Sequence, residues 1–239
     1  MSQASETTNG AIHFVGGEKG GVGKSLVSRL LAQYMIDRNI PFTGFDTDRS
    51  HGALLRFYAG YASAALVDSF EALDAIVESA VAEPGRRVLV DLAAQTHAPL
   101  ARWMDESGVL DVAAETGLAV NYWHVMDSGR DSVDLLTRLL DRYEGRLNYV
   151  LVLNQLRGDD FSQLERSGQL ARAQELGART MPLKHLQDAV LRKIDAANAS
   201  FWSARTAPGS EGAKLGLLER QRLRVWLAQV ESEFERLGV

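Results

Sequence analysis

Short continuous apolar runs alternate along this chain with stretches in which apolar residues recur every third or fourth position. The runs fall at residues 11–15, 41–45, 87–91, 118–126, 149–154 and 180–183, and each is short enough to be a strand. Between them, Leu26, Leu30, Leu31 and Met35 share one helical face, as do Leu66, Phe70, Leu73, Ile76, Val77 and Val81 within a helical pattern over residues 53–82. An amphipathic stretch through Trp103 and Met104 follows Pro99, and Val133, Leu135, Leu136, Leu139 and Leu140 mark another helix. The last part is helical over residues 186–194, loops around Pro208-Gly209-Ser210, and ends in a long helix striped by Leu223, Trp226, Leu227, Val230, Phe234 and Leu237. This alternation predicts an α/β fold: a doubly wound, mostly parallel sheet flanked by helices. No repeat, low-complexity tract or linker is apparent, so residues 11–239 are expected to form a single domain behind a short disordered lead at residues 1–10.

Where the first run meets the first periodic stretch lies Val15-Gly16-Gly17-Glu18-Lys19-Gly20-Gly21-Val22-Gly23-Lys24-Ser25. Glycines between a strand and a helix can take the positive φ angles that curl backbone N–H groups around a phosphate, at the positive end of the helix dipole. Gly20, Gly21, Val22, Gly23, Lys24, Ser25 and Leu26 are therefore the candidate nucleotide-binding residues, with Lys24 reaching the β- and γ-phosphates and the Ser25 hydroxyl on Mg²⁺. The strict G-x-x-x-x-G-K-[ST] pattern is missed at Glu18, and a second lysine, Lys19, sits in the loop. Lys-Gly-Gly-Val-Gly-Lys-Ser resembles the deviant Walker A loop of the ParA/MinD family of ATPases. That resemblance, which covers residues 11–91 as motif and weakens toward Pro182, implies a P-loop fold, the cofactors ATP and Mg²⁺, and slow, partner-stimulated hydrolysis.

Two more strands end in carboxylates. The strand through Phe45 runs into Asp46-Thr47-Asp48, and in open parallel sheets the C-terminal strand ends form the ligand crevice. By the resemblance Asp48 is the residue associated with the attacking water; Asp48 or Ser50 could equally cap the next helix. Arg87-Val88-Leu89-Val90-Asp91 fits a Walker B strand, whose acid orients the waters that Mg²⁺ keeps. Ser25, Asp46 and Asp91 are thus the candidate metal residues. The switch that follows Asp91 in the family is replaced here by Leu92-Ala93-Ala94-Gln95-Thr96-His97. The family places an Asn after a late strand and a proline after the next one to contact the base, which matches Asn154 and Pro182; a turn or helix cap is the competing role for Asn154.

Composition narrows the function further. The chain has 239 residues, 46% of them hydrophobic, and no cysteine, so disulfides, thiolate zinc sites and cysteine-held iron–sulfur clusters are excluded. No apolar run approaches the roughly 20 residues that span a bilayer, and the acidic end of the last helix argues against a membrane anchor; a cytoplasmic location is expected, with association with the nucleoid as an option within it. A net charge of -5 leaves room only for a local basic patch, for which Arg220, Arg222 and Arg224 are the candidates toward nonspecific DNA. By resemblance Lys19 would cross a dimer interface to the partner's nucleotide, making Lys19, Lys24 and Asp48 the catalytic set of an ATP-dependent homodimer that moves or positions cargo with an adaptor or cargo protein. The alternative is a metabolic P-loop enzyme, a synthetase or small-molecule kinase, which has no need of the second lysine.

Overall fold

The computed structural model describes residues 10–17, 19–49, 52–83, 85–206 and 213–239. The expected lead at residues 1–9, Glu18, Ser50, Pro84 and the loop at Pro208-Gly209-Ser210 lie outside the described residues. The seven strands are β1 (Ala11–Gly16), β2 (Phe42–Asp46), β3 (Ala62–Ala64), β4 (Arg87–Asp91), β5 (Ala119–Met126), β6 (Asn148–Asn154) and β7 (Arg179–Leu183). They form one sheet in the order β3-β2-β4-β1-β5-β6-β7, and every neighbouring pair is parallel.

Side chains alternate across this sheet into two cores, as the two-residue period of a strand requires. Ile12, Phe14, Val88, Val90, Val120, Tyr122, Tyr149 and Leu151 enter one core. Helices α3 (Phe70–Val81), α4 (His97–Glu106), α5 (Val109–Thr116), α6 (Arg130–Tyr143), α7 (Ser162–Arg166) and α8 (Gln169–Glu175) supply its other wall. Val15, Leu89, Trp123, Val125, Val150, Val152, Met181 and Leu183 enter the opposite core. It is closed by α1 (Lys24–Asp37), α2 (Ala53–Phe57), α9 (Asp188–Ala196), α10 (Phe201–Thr206) and α11 (Leu217–Leu237).

Helix α1 departs from the one-faced pattern: residues 27–35 are all buried, because α2, α10 and α11 close over its outer side. Two polar members of that run find partners inside, Arg29 through one of its guanidinium nitrogens and Gln33 through its amide. Arg29 pairs with Asp195 at 2.7 Å and lies 3.6 Å from the centre of the Phe57 ring. Gln33 Oε1 accepts from the Tyr58 hydroxyl at 3.1 Å and the Trp202 backbone N–H at 2.8 Å. In α11 the expected stripe holds, with Leu223, Trp226, Leu227, Val230, Phe234 and Leu237 all buried. A fully buried side chain of this kind contributes about 1.5–3 kcal/mol.

The helical pattern over residues 53–82 is corrected. It divides into α2, the edge strand β3 and α3. Backbone bonds from Tyr61 N–H to the Tyr58 carbonyl and from Gly44 N–H to the Tyr61 carbonyl turn the chain there and hand it to β2. Leu73 and Ile76 are core, but Leu66 and Val81 are 40% and 50% exposed, so a three- and four-residue recurrence overstated the buried set. Of the two tyrosines at the turn, Tyr58 is buried, whereas Tyr61 stacks on Phe42 with nearly half its surface exposed.

Candidate functional site

Strand β1 is where the winding of the sheet reverses, with β4 on one side and β5 on the other, and the crevice at its C-terminal end is the natural ligand position of an open parallel sheet. The glycine-rich loop occupies that crevice. Gly17 has φ 140°, and a Cβ there would stand 2.5 Å from the Val125 carbonyl oxygen, so only glycine lets the loop leave β1 against β5. Gly23 has φ 104° and its missing Cβ makes room for the Asn154 amide. Gly23 is also the N-cap of α1: it offers no side chain to the first-turn N–H groups, and no acidic residue stands in that turn. An anion is the partner such a helix end favours. Lys24, 8% exposed, folds back over the loop, its Nζ donating to the Lys19 carbonyl at 3.0 Å, and Ser25 follows half-buried.

Two carboxylates face each other next to the loop. Asp46 and Asp91 are paired across β2 and β4 and are 2% and 3% exposed. Burial pushes the Asp91 carboxyl up to about 7; the Asp46 charge adds to this, and the nearby Ser28 and Ser25 hydroxyls and Lys24 oppose it. Asp91 Oδ1 is buried with no hydrogen-bond partner, an arrangement that costs free energy unless something else binds there. Burial raises Asp46 as well, against three backbone hydrogen bonds that favour its ionised form. Asp46 Oδ1 accepts from Asp48 N–H at 3.0 Å, and Oδ2 accepts from Leu54 N–H at 2.8 Å and Leu55 N–H at 3.2 Å. Asp46 thus caps the first turn of α2, and Asp48 stands half-buried beside it.

These residues fit Mg²⁺ in a restricted sense. Among the described residues no group of three or more His, Asp or Glu side chains could hold a metal by itself. Mg²⁺ is ordinarily held by one or two protein groups together with waters and substrate phosphates, and the unsatisfied Asp91 Oδ1 beside Ser25 is an arrangement of that kind.

Lys19 has a partner within its own chain: its Nζ lies 3.0 Å from Asp127 Oδ2, 3.3 Å from Asp127 Oδ1 and 4.0 Å from Asp131 Oδ2. Asn154 is 2% exposed and braces the loop: its Nδ2 donates to the Val22 carbonyl at 2.7 Å and its Oδ1 accepts from Leu156 N–H at 3.2 Å. Both ends of the amide are engaged inside the chain. Arg220, Arg222 and Arg224 do not form one edge. Arg220 and Arg224 bond the Leu215 and Arg205 carbonyls, and Arg222 bonds Gln187 on another side of the helix. Pro182 is exposed on β7, paired with Leu153 and so one register step from Asn154, and borders a groove of about 540 Å³ against α11.

Residues with no sequence motif complete the site. Thr47 Oγ1 donates to the Asp91 carbonyl at 3.0 Å and accepts from Ala93 N–H at 2.8 Å, fastening the ends of β2 and β4 together. Ser28, one turn beyond Lys24, is fully buried beside Asp91. Asp127 closes β5 as Asp46 and Asp91 close theirs, and that shared position at a strand end was the available signal.

The chain matches no protein-family model, and no curated protein matches it. Solved structures do, among them a nucleotide-binding protein from Archaeoglobus fulgidus in complex with ADP. That protein is 16% identical, with 78% of this chain and 86% of its own covered at a TM-score of 0.48. So distant a likeness adds nothing to what the sheet order already establishes. Among the described residues no helix is long and apolar enough to cross a membrane.

Proposed function

We propose that this protein binds ATP with Mg²⁺ at the glycine-rich loop and hydrolyses it slowly, working as an ATP-dependent dimeric switch of the ParA/MinD kind. The observation that supports this most is the meeting of an uncapped α1 N-terminus, Lys24 and Ser25 with the buried Asp91, whose Oδ1 has no hydrogen-bond partner, at one end of the sheet. Lys24 leaves the Lys19 carbonyl for the β- and γ-phosphates, the loop N–H groups hold the phosphate oxygens, and Ser25 and Asp91 hold the cation and its waters. Asp48 orients the water that attacks the γ-phosphorus, giving ADP and inorganic phosphate. Pro182 flanks the base, and Asn154 serves it indirectly by fixing Val22. A cargo or adaptor protein stimulates turnover, and nonspecific DNA is the track. A metabolic P-loop enzyme is the second reading, favoured by one observation: Lys19 already has a carboxylate partner in its own chain.

Asp48→Ala tests the hydrolytic part. Positioning the nucleophile matters to the transition state far more than to binding, so the variant should keep its ATP affinity and lose phosphate release. Unchanged turnover would remove Asp48 from the mechanism. Light scattering with a non-hydrolysable ATP analogue separates the two readings: a doubled mass with the analogue and a single mass with ADP support the switch, and one mass in both states supports the metabolic enzyme.

A further inference from the structure

The contact between Lys19 and Asp127 is built on the Asp127 side before the lysine arrives. Asp127 Oδ1 accepts from Ser132 Oγ at 2.7 Å and from Gly129 N–H at 3.1 Å, both at the start of α6, and the carboxylate side chain is only 5% exposed. Lys19 Nζ closes over it, with Asp131 Oδ2 as a second, more distant contact at 4.0 Å. Gly129 leaves the space. Its φ of -81° and ψ of 156° are extended backbone that any residue adopts, yet a Cβ there would lie 3.2 Å from Lys19 Nζ and 3.1 Å from Asp127 Oδ1. Lys24 bonds the carbonyl of the same residue, Lys19, so the two loop lysines are fastened together.

We propose that Lys19 and Asp127 form a lock within one chain that withholds Lys19 from phosphate, so that its release sets how readily the ATP form pairs with a second copy. This rests on the dimeric-switch reading for its consequence, though not for the lock itself. A phosphate on the loop draws Lys24 away from the Lys19 carbonyl and offers a competing anion, which loosens the residue holding the locked ammonium. The Asp127 carboxylate stays behind, still held by Ser132 and Gly129. The balance between Asp127 and phosphate decides where Lys19 resides.

Asp127→Asn is the direct test, because the amide oxygen still accepts from Ser132 and Gly129 while the charge is gone. Gly129→Ala is the second variant, which crowds both the Lys19 ammonium and the Asp127 carboxylate and keeps the charge of each. The first readout is the acylation rate of the Lys19 amine in the nucleotide-free protein, followed by mass spectrometry with the exposed Lys184 as internal standard. Losing an ion pair of this exposure should raise that rate about fivefold in Asp127→Asn, and crowding it should raise the rate by less in Gly129→Ala. Equal rates in both variants and in wild type overturn the lock. The second readout is the protein concentration at which ATP produces the dimer, which should fall about fivefold in Asp127→Asn and not respond to that change in a Lys19→Ala background. A midpoint that does not move although acylation rises overturns the regulatory role. A wild type that neither binds ATP nor dimerises sinks the switch reading instead, and the acylation comparison still decides the lock.

Discussion

Replacing Asp91 with Asn isolates the most perturbed acid of the site. In the folded chain this carboxyl titrates near 7, against an ordinary value of 3.8, because it is buried beside Asp46. A carboxyl whose folded pKa is raised binds more protons in the folded than in the unfolded chain between those two values. Its contribution to stability therefore falls as pH rises through that window and levels off above the folded value. From about pH 6 to about pH 8 the penalty grows by about one pK unit, or about 1.4 kcal/mol. Two buried histidines act in the opposite sense. His13 and His124 are held neutral, pushed down to about 3 and about 4 by burial, so the unfolded chain takes up protons there that the folded one does not. Their contribution rises with pH and would mask the slope of Asp91 in wild type alone. The difference between Asp91→Asn and wild type removes them, since both proteins share the histidines. For a domain of this size, 1.4 kcal/mol corresponds to roughly 3–5 °C in Tm. Differential scanning calorimetry of the nucleotide-free proteins should show Asp91→Asn gaining that much on wild type between about pH 6 and about pH 8. A difference in Tm that is the same at both pH values would mean that Asp91 is an ordinary ionised carboxylate, and the reasoning from its burial would fail.

Asn154→Ala should lower Tm by several degrees, because it strands the buried Val22 carbonyl, a loss of about 1–3 kcal/mol; an unchanged thermal melt would contradict the bracing role. Gly23→Ala should cost more, since it adds an unfavourable left-handed backbone to a collision with Asn154, and circular dichroism melts would check the order of the two variants. In gel shifts at low salt, Arg222→Ala and Arg224→Ala should each weaken retardation of nonspecific DNA separately, as arginines on different sides of α11 would; no retardation of wild type with a non-hydrolysable ATP analogue would remove DNA from the account.

The sheet was legible because each buried strand of a parallel sheet is a mainly apolar run, and β1, β4, β5 and β6 are runs of that kind. Strand β3 was not, because Ala62-Ser63-Ala64 is short, lies at the edge and has no apolar pattern; it is held by backbone bonds to β2. The phosphate loop could be found from its glycines, whose lack of a side chain is itself the chemistry. Asp46, Asp48 and Asp91 could be placed at strand ends, but no spacing tells a carboxylate that accepts three backbone N–H bonds from one that accepts none on a buried oxygen. The roles of Asn154 and Lys19 were decided by Val22 and Asp127, partners more than a hundred residues away in sequence. Contacts of that range appear only when the chain is folded.

The central claim is that the loop and Lys24 form an ATP site, and isothermal titration calorimetry of MgATP into wild type and Lys24→Ala tests it most directly. Lys24 supplies the one buried ammonium of the described loop, and its bond to the Lys19 carbonyl is one that a phosphate can replace. Wild type is predicted to bind one MgATP per chain and Lys24→Ala to give no measurable heat of binding. Equal binding by the two proteins, or none by wild type, would contradict the account.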